Sequence, residues 1–551
     1  MVGTAGYRIG RTTGWGCPRI PGSLVDMADT PPVVPSVPRR RRRGLLAVLL
    51  VVTAVTVLTA SGLGTALAVT YSRAAVSTVG QVPFETPLAI PPIAEGTVDA
   101  AGRRVFDLTV QPGSTDFGYP SPTATWGVNG DLLGPTLRMR DGEQVLMNVT
   151  NEVGEPTNLH WHGMHLPARM DGGPHQMVDP GETWSPTWQV DQQAATLWYH
   201  AHLHGTTTQH VYRGVAGTII VDDDRSAALG LPSDYGVDDI PVIIQDRKFR
   251  ADGSLDEGEG FMRLTGLLGD QVTANGTIGG YVNVTAASTR LRLVNASTAR
   301  VYNLGFDDDR EFSLIATDGG LLPRAVSIDR LQLSPGERAE IIVTMSPSDS
   351  VVLRSDEPDL ASFALQNRFS GGDDDFDVLE LRAADVLAPG TDLPPVLGGE
   401  IFGDLSADQA AETRYFQLQG NEINGRTMAM GRIDTVISAG ATEIWEVTNG
   451  DGYPHNFHVH DVQFRVLDVD GEDPGPVASG RKDTVFVPPG GTARLLIRFG
   501  DETDPDHPFM YHCHLLSHED DGLMGQFVVV APGTEPGVID PSHTHSSATG
   551  N

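Results

Sequence analysis

Basic residues are scarce in this 551-residue chain, in which 38 lysines and arginines stand against 71 acidic residues. The formal net charge of −33 would repel phosphate groups, which argues against nucleic acid as a partner. It is compatible with a secreted, well-solvated protein that attracts cations. With 40% hydrophobic and 20% charged residues, the chain has the composition of a folded soluble protein, and its length predicts two to four domains.

Charged residues are missing altogether from Gly44–Thr70, which directly follows a block of five arginines, Arg39–Arg43. A stretch of this length can cross a bilayer as a helix, and the preceding positive charge predicts that residues 1–43 stay in the cytoplasm. Two interpretations remain open: an uncleaved signal anchor, or a long export signal of twin-arginine type that is cut near Ala66–Ala68. Both predict an extracytoplasmic protein, and Met27 is an alternative start.

Cysteine is nearly absent, since the chain contains only Cys17 and Cys513. Cys17 precedes the apolar segment, so it lies on the inner side of the membrane or is missing from the mature chain. Cys513 therefore has no partner for a disulfide, and its thiol needs another explanation.

Amphipathic helical patterns are few, whereas short apolar–polar alternations broken by Gly, Pro, Asn and Asp recur along the chain and predict strands. An apolar strand that ends in asparagine recurs at Asn151, Asn295 and Asn449, and each is followed by a Pro-Gly turn and a new strand. We therefore predict an all-β protein of three similar β-sandwich domains. The predicted segments are 82–224, 237–386 and 400–532, followed by a disordered tail at 533–551.

Histidine is absent from the second of these domains and is concentrated in the first and third. Four pairs have the form His-x-His, and alternate side chains of a strand face the same side. Each pair thus presents two imidazoles to one face, which indicates a metal site rather than core or surface histidines. The pairs are His160/His162, His200/His202, His458/His460 and His512/His514.

Cys513 lies between the two histidines of "HCH", so its side chain faces the opposite side of the strand. His455 and His518 lie nearby in the sequence and belong to no pair. Two histidines and a thiolate in a β-sandwich are the ligands of a blue copper electron-transfer site, whereas zinc takes a fourth strong ligand.

These motifs resemble the four copper-binding segments of the multicopper oxidases, the family of laccases, bilirubin oxidases and bacterial copper-efflux oxidases. The resemblance extends over residues 82–530 and implies three cupredoxin domains that hold four copper ions: one type 1, one type 2 and a type 3 pair. It implies that the type 2 ligands are His160 and His458, that the type 1 ligands are His455, Cys513 and His518, and that the type 3 ligands are His162, His200, His202, His460, His512 and His514.

Two acidic residues, Asp171 and Glu519, match positions that resemble proton donors in this family, where the formation of water consumes protons. The alternative for Asp171 is a turn residue before Gly172, and the alternative for Glu519 is a solvated loop acid.

The axial position of the type 1 site is expected at Leu523, five residues after His518, where methionine-ligated members of the family carry their axial ligand. We expect Leu523 to be a neighbour that does not coordinate, which should raise the potential of the site. Met524 is the alternative axial ligand.

The resemblance implies a laccase-like enzyme that couples one-electron oxidation of a phenolic, aromatic or metal-ion substrate to four-electron reduction of O₂ to water. One alternative is a cuprous oxidase or copper-resistance protein. Another is a non-catalytic copper-binding protein or a cell-division structural relative without copper. The expected partners are O₂ and a small reducing substrate, and the membrane if the N-terminal segment is uncleaved, and we expect a monomer.

Overall fold

The computed structural model describes residues 68–539, except 261–263 and 400–404, together with Thr53 and Thr65. The predicted cytoplasmic segment 1–43 and almost all of the predicted membrane segment 44–70 lie outside this part of the chain. Within it, no helix combines the length and the apolar character that a membrane crossing requires.

The first domain is a sandwich of two sheets. Its strands are β2 (Ile93–Ala94), β3 (Thr97–Val98), β4 (Arg104–Thr115), β5 (Thr123–Val128), β6 (Thr136–Arg140), β7 (Gln144–Asn151), β8 (His160–His162), β9 (Thr183–Trp184), β10 (Thr187–Gln189), β11 (Ala195–His200) and β12 (Ala216–Asp222), after a short β1 (Thr86–Pro87). One sheet has the order β10–β7–β4–β3, with β5 and β9 attached, and the other has the order β2–β6–β12–β11–β8. Its helical turns are Ala168–Met170, Thr207–Arg213 and Asp224–Ala227.

The second domain repeats this plan without the histidines. Its strands are β13 (Asp239–Arg247), β14 (Gln271–Ala274), β15 (Gly280–Ala286), β16 (Ser288–Asn295), β17 (Tyr302–Phe306), β18 (Phe312–Thr317), β19 (Gly320–Ile328), β20 (Leu331–Leu333), β21 (Arg338–Thr344), β22 (Ser350–Asp356) and β23 (Phe376–Ala388), with a helix at Ala364–Phe369. The sheet orders are β14–β13–β16–β21–β18–β19 and β1–β15–β23–β22–β17–β20. Strand β1 thus belongs to a sheet of the second domain, although Thr86–Pro87 falls within the segment 82–224 predicted for the first domain.

The third domain is again a pair of sheets. Its strands are β24 (Glu412–Gln419), β25 (Glu422–Ile423), β26 (Thr435–Ser438), β27 (Thr442–Asn449), β28 (His455–Val459), β29 (Phe464–Val469), β30 (Thr484–Val487), β31 (Thr492–Arg498), β32 (Asp504–His512) and β33 (Met524–Val530), with helical turns at Ala407–Gln409, Gly475–Ala478 and Leu516–Asp520. The sheet orders are β25–β24–β27–β31–β29 and β26–β33–β32–β28–β30. The prediction of three β-sandwich domains is therefore confirmed.

The alternation of residues along each strand explains why the sheets pack on each other. Along β7, Val145, Met147 and Val149 are fully buried, while the residues between them are partly exposed. The buried faces form a separate apolar core in each domain, centred on large side chains such as Trp161, Phe306 and Trp445.

The asparagine that recurs at the end of one strand in each domain has the same role in all three. In the second domain, the Asn295 amide donates to the carbonyls of Arg300 (2.8 Å) and Leu333 (2.9 Å), and its Oδ1 accepts from the N–H of Ser297 (3.1 Å). Asn151 and Asn449 bind their own loops and facing strands in the same pattern. Each asparagine is fully buried and pins the loop that follows its strand.

We expect Asn295→Ala to lower the free energy of unfolding by about 3 kcal/mol, because it leaves two buried carbonyls and one buried N–H without partners. Urea unfolding of the purified protein measures this change. The control is Asn283→Ala on an exposed position of β15, which should stay within about 0.5 kcal/mol of the parent protein. Equal effects of the two substitutions would contradict the structural role of Asn295.

The start of the predicted disordered tail differs from expectation. Residues 533–539 are described, and in this stretch the N–H of Gly537 donates to the carbonyl of Pro505 (2.8 Å) and Ile539 is buried. An apolar side chain and one backbone hydrogen bond thus hold this stretch against the protein. Residues 540–551 lie outside the described part of the chain.

Candidate metal centre

Four strand ends bring the eight paired histidines together. In the first domain, β8 and β11 run antiparallel with His160 opposite His200, and in the third domain β28 and β32 pair His458 with His512. Both members of the first pair lie on β8, where the alternation of side chains turns them towards the same side. In the other three pairs the second histidine lies just beyond the end of its strand. All eight imidazoles are buried, with exposures of 0–1%.

The histidines form mixed groups to which the first and third domains both contribute. The Nε2 atoms of His202, His460 and His512 lie 3.1–3.2 Å from one another. Two further groups have their nearest ring nitrogens within 4.8 Å, and these are His162/His200/His514 and His160/His162/His458. Rings from the two domains also stack directly, as for His162 on His458 with centroids 3.8 Å apart.

Backbone carbonyls fix the orientation of several of these rings. The Nδ1–H of His160 donates to the carbonyl of Asp171 (2.9 Å), and the Nδ1–H of His200 donates to that of Ala201 (2.8 Å). In both residues the other ring nitrogen, Nε2, is buried and has no hydrogen-bond partner. Unpaired buried polar atoms are costly, so their convergence indicates a site that is completed by a ligand.

The protonation of the rings suits metal binding. Burial holds the pKa of His202 and of His460 well below the usual value, and it lowers the pKa of His512 to about 3. These three rings are therefore neutral at pH 7, and neutral imidazole is the form that binds zinc, copper, iron and nickel. The donor set and its unpaired nitrogens fit a cluster of such ions.

A second group lies on the other side of "HCH". Cys513 Sγ is 3.4 Å from His455 Nδ1 and 3.6 Å from His518 Nδ1, and these two nitrogens are 3.2 Å apart. All three side chains are buried. Burial raises the pKa of the Cys513 thiol to about 12, so a bound cation is what would favour the thiolate.

Three models of the family described as "Multicopper oxidase" match residues 109–226, 253–359 and 404–533, one in each domain. The chain belongs to the multicopper oxidase family. The recognition made from the motifs is confirmed, and the cupredoxin-like class of the three sandwiches is confirmed with it.

Relatives within the family carry different names. A cell division protein FtsP from Xenorhabdus nematophila is 36% identical over 81% of this chain and 93% of its own length. A multicopper oxidase mco from Staphylococcus haemolyticus is 32% identical over 80% of this chain and 92% of its own length. The crystal structure of a laccase from Pediococcus acidilactici has a TM-score of 0.73 and 33% identity, and the match covers 81% of this chain and 94% of that chain.

All the residues predicted as copper ligands of this multicopper oxidase family member fall into the two groups, and no predicted ligand lies elsewhere. The other histidines of the first domain, His165, His175, His204 and His210, belong to neither group. His165 Nδ1 instead lies 2.5 Å from Asp461 Oδ1, which links the first and third domains.

Asp171 and Glu519 are both buried beside the cluster, so Glu519 is not a solvated loop acid. Asp171 ends the helical turn Ala168–Met170 and so is a turn residue that also faces the cluster. Asp171 Oδ2 accepts from the Nδ1–H of His460 at 2.7 Å. Glu519 lies with one oxygen 3.3 Å from His202 Nδ1 and the other 3.2 Å from His512 Nδ1. Burial, reinforced by Asp520, raises the pKa of Glu519 well above its usual value.

Leu523 and Met524 occupy different surroundings. Leu523 is fully buried in the apolar core that also contains Cys513, and its carbonyl accepts from the N–H of Cys513 (3.1 Å). Met524 pairs with His512 across β32 and β33, and it lines a cavity of about 280 Å³ together with Tyr511. Leu523 therefore shares the apolar core of Cys513, whereas Met524 faces a different cavity.

Sequence reasoning missed the residues that hold the ligands in place. Asp451 Oδ2 accepts from the Nε2–H of His455 (3.0 Å), and the carbonyl of Leu264 accepts from the Nε2–H of His518 (2.6 Å). Asp483 contacts both His162 and His458. Asp451 could have been found from its position four residues before His455. Leu264 and Asp483 carry no such signal, because they are distant in sequence from the ligands they contact.

We expect the metal-free protein to lose stability as the pH falls from 7 towards 4. Burial lowers the pKa of His512 and of His518 to about 3, whereas unfolded histidine titrates near 6.5. Below pH 6.5 only the unfolded state binds these protons, so each residue lowers the free energy of unfolding by about 1.4 kcal/mol per pH unit.

Urea unfolding of metal-free protein at pH 7 and pH 5 measures this loss, which should be smaller in His512→Gln. His507→Gln is the control, because His507 is exposed and its hydrogen bond to Asp504 raises its pKa. An unchanged pH dependence in His512→Gln would contradict the assignment of the loss to the buried imidazoles.

Proposed function

We propose that this protein is a laccase-like oxidase that removes single electrons from a small reducing substrate and delivers them to O₂, with water as the product. The observation that carries the proposal is the complete donor set on both sides of Cys513, with its thiol in one group and the adjacent His512 and His514 in the other. Four bound copper ions would supply the one-electron chemistry and the reduction of O₂.

The chain itself separates the two halves of the reaction. The smaller group consists of Cys513 and its two histidine neighbours, His455 and His518. Because the exposed Leu264 contacts His518, this group lies close to the protein surface. The eight imidazoles of the larger group are sealed between the first and third domains. The "HCH" tripeptide joins the two groups through a single residue, which is a short covalent path for electrons.

Asp171 and Glu519 support the proposal as sources of protons for water formation. Asp171 touches the cluster through His460, and Glu519 touches it through His202 and His512. Thr207 Oγ1 donates to Glu519 Oε1 at 2.8 Å and holds that carboxyl in place. General acids need this kind of fixed placement within reach of the reacting atoms.

A structural function in cell division is the second candidate, and the similarity to proteins named cell division protein FtsP favours it. The buried donors weigh against it, because a purely structural protein has no need for eight converging imidazoles with unpaired nitrogens. A cuprous oxidase or copper-resistance protein would use the same copper chemistry, with Cu(I) as the reducing substrate.

We further propose that the protein is an extracytoplasmic monomer, anchored by the N-terminal segment or released after its cleavage.

Copper-loaded wild-type protein and Cys513→Ser test the proposal when O₂ uptake is measured with a phenol, with bilirubin and with Cu(I). The wild type should be blue and should consume O₂ with at least one of these reductants. Cys513→Ser should lose the copper–thiolate absorption and the O₂ uptake, because hydroxyl does not replace thiolate as a copper ligand. A colourless, copper-free wild type would overturn the proposal in favour of the structural candidate.

Leu523→Met should lower the potential of the type 1 copper, because a thioether then donates to the oxidised ion at the axial position. Redox titration of the blue absorption band measures this shift. Met524→Leu is the matched control, since it changes the neighbouring residue outside the apolar core of Cys513, and it should leave the band and the potential unchanged. A shift in the control alone would make Met524 the axial ligand.

A further inference from the structure

One arginine of the histidine-free second domain contacts all three domains. All five N–H groups of the Arg338 guanidinium have acceptors: the carbonyls of Thr196 (3.3 Å), Gly336 (3.1 Å) and Asp318 (2.9 Å), and both carboxylate oxygens of Asp483, each at 2.6 Å. Arg338 and Asp483 are both completely buried. A bidentate pair of this kind fixes the plane of the carboxylate.

The first domain approaches this pair so closely that only glycine fits there. A Cβ atom on Gly163 would lie 2.5 Å from Arg338 Nη2 and 2.7 Å from Asp483 Oδ2, and Gly163 has φ +85°. Gly163 directly follows His162, so the backbone next to a cluster histidine rests against the pair.

Asp483 contacts two histidines through two different atoms. Its side-chain Oδ1 accepts from the Nε2–H of His162 at 3.1 Å, and its backbone carbonyl accepts from the Nδ1–H of His458 at 2.9 Å. The unpaired nitrogens are consequently Nδ1 in His162 and Nε2 in His458. Thr484 Oγ1 lies beside the same two nitrogens, 3.3 Å from His162 Nε2 and 3.2 Å from His458 Nδ1. The two stacked rings thus present opposite nitrogens to the cluster, because Asp483 and Thr484 contact Nε2 of one ring and Nδ1 of the other.

We propose that Arg338 is a positioning residue for the metal cluster: through Asp483 it selects Nδ1 of His162 as the coordinating nitrogen. This inference rests on the proposed function, since it concerns the same cluster. The ligand-free second domain thereby contributes to metal binding without offering a ligand. Without the guanidinium, Oδ1 of Asp483 keeps the Nε2–H of His162 and Thr484 Oγ1 (3.0 Å) as donors, whereas Oδ2 loses the donor it has in Arg338, so the plane of the carboxylate is no longer fixed.

Arg338→Lys tests the inference, because lysine keeps the charge but cannot hold both oxygens of Asp483. Arg300→Lys is the matched control in the same domain. Arg300 is 1% exposed and pairs with Asp246 and Asp374, and none of these residues contacts a predicted ligand. Metal-free samples of both variants and of the wild type are titrated with Cu(II), and bound copper and its EPR signal are measured.

In Arg338→Lys we expect the affinity for one copper of the type 3 pair to fall about 10- to 100-fold, as is usual when the partner of a ligating histidine is lost. The remaining copper of the pair then loses its coupled neighbour and becomes detectable by EPR. The blue type 1 absorption should persist, and Arg300→Lys should match the wild type in copper content and EPR signal. A general folding defect would lower all copper signals together.

An Arg338→Lys protein with the copper stoichiometry and EPR signal of the wild type would overturn the inference. A proportional loss of every copper in both Arg338→Lys and Arg300→Lys would also overturn it. A wild type that binds no Cu(II) would overturn the proposed function instead, and the inference with it. Asp483→Asn is the second variant. It preserves the shape of the side chain but sets an amide N–H against the guanidinium and His162, and it should reproduce the selective loss in protein that retains its fold.

Discussion

The burial of neutral imidazoles between the first and third domains is the constraint on which the rest of this structure depends. Six of the eight rings donate one N–H to a protein oxygen. Several of these leave their other nitrogen without a partner, and His514 has neither nitrogen paired. Every unpaired buried nitrogen costs roughly 1–3 kcal/mol, a cost that metal binding would offset. The two sandwich cores hold the strand ends rigidly enough to maintain this arrangement. Stability and metal binding are therefore coupled in this protein.

Buried charged groups of the second domain form hydrogen bonds within that domain and with the first domain. Arg292 pairs with Asp239 and Glu340 and also donates to Thr196 of the first domain. Pairs of this kind need nearly ideal geometry to repay the loss of hydration, so they define how the domains meet more than they add to stability. A domain that has kept no histidine can in this way still determine the geometry of a site formed by its neighbours.

Much of the candidate site could be predicted because the period of a β-strand relates sequence directly to direction. Residues two positions apart on a strand face the same side, so "HCH" alone separates Cys513 from His512 and His514. The recurring asparagines likewise predicted three equivalent domains, and all three asparagines make the same hydrogen bonds. The position of β1 was not predictable, because Thr86–Pro87 pairs with Gly280–Tyr281, almost two hundred residues further along the chain. The same separation hid Leu264 from sequence reasoning, since nothing near His518 indicates which carbonyl binds its ring.

The sequence by itself determined the fold class, the family and the candidate donors, because all three follow from local spacing and residue type. Only the tertiary structure decided which nitrogen each imidazole presents and that Asp483 lies beside the cluster. Those properties depend on contacts between domains, where Asp483 of the third domain meets His162 of the first and Arg338 of the second. Local spacing carries no information about such contacts, because they arise only when three separately folded sandwiches pack together.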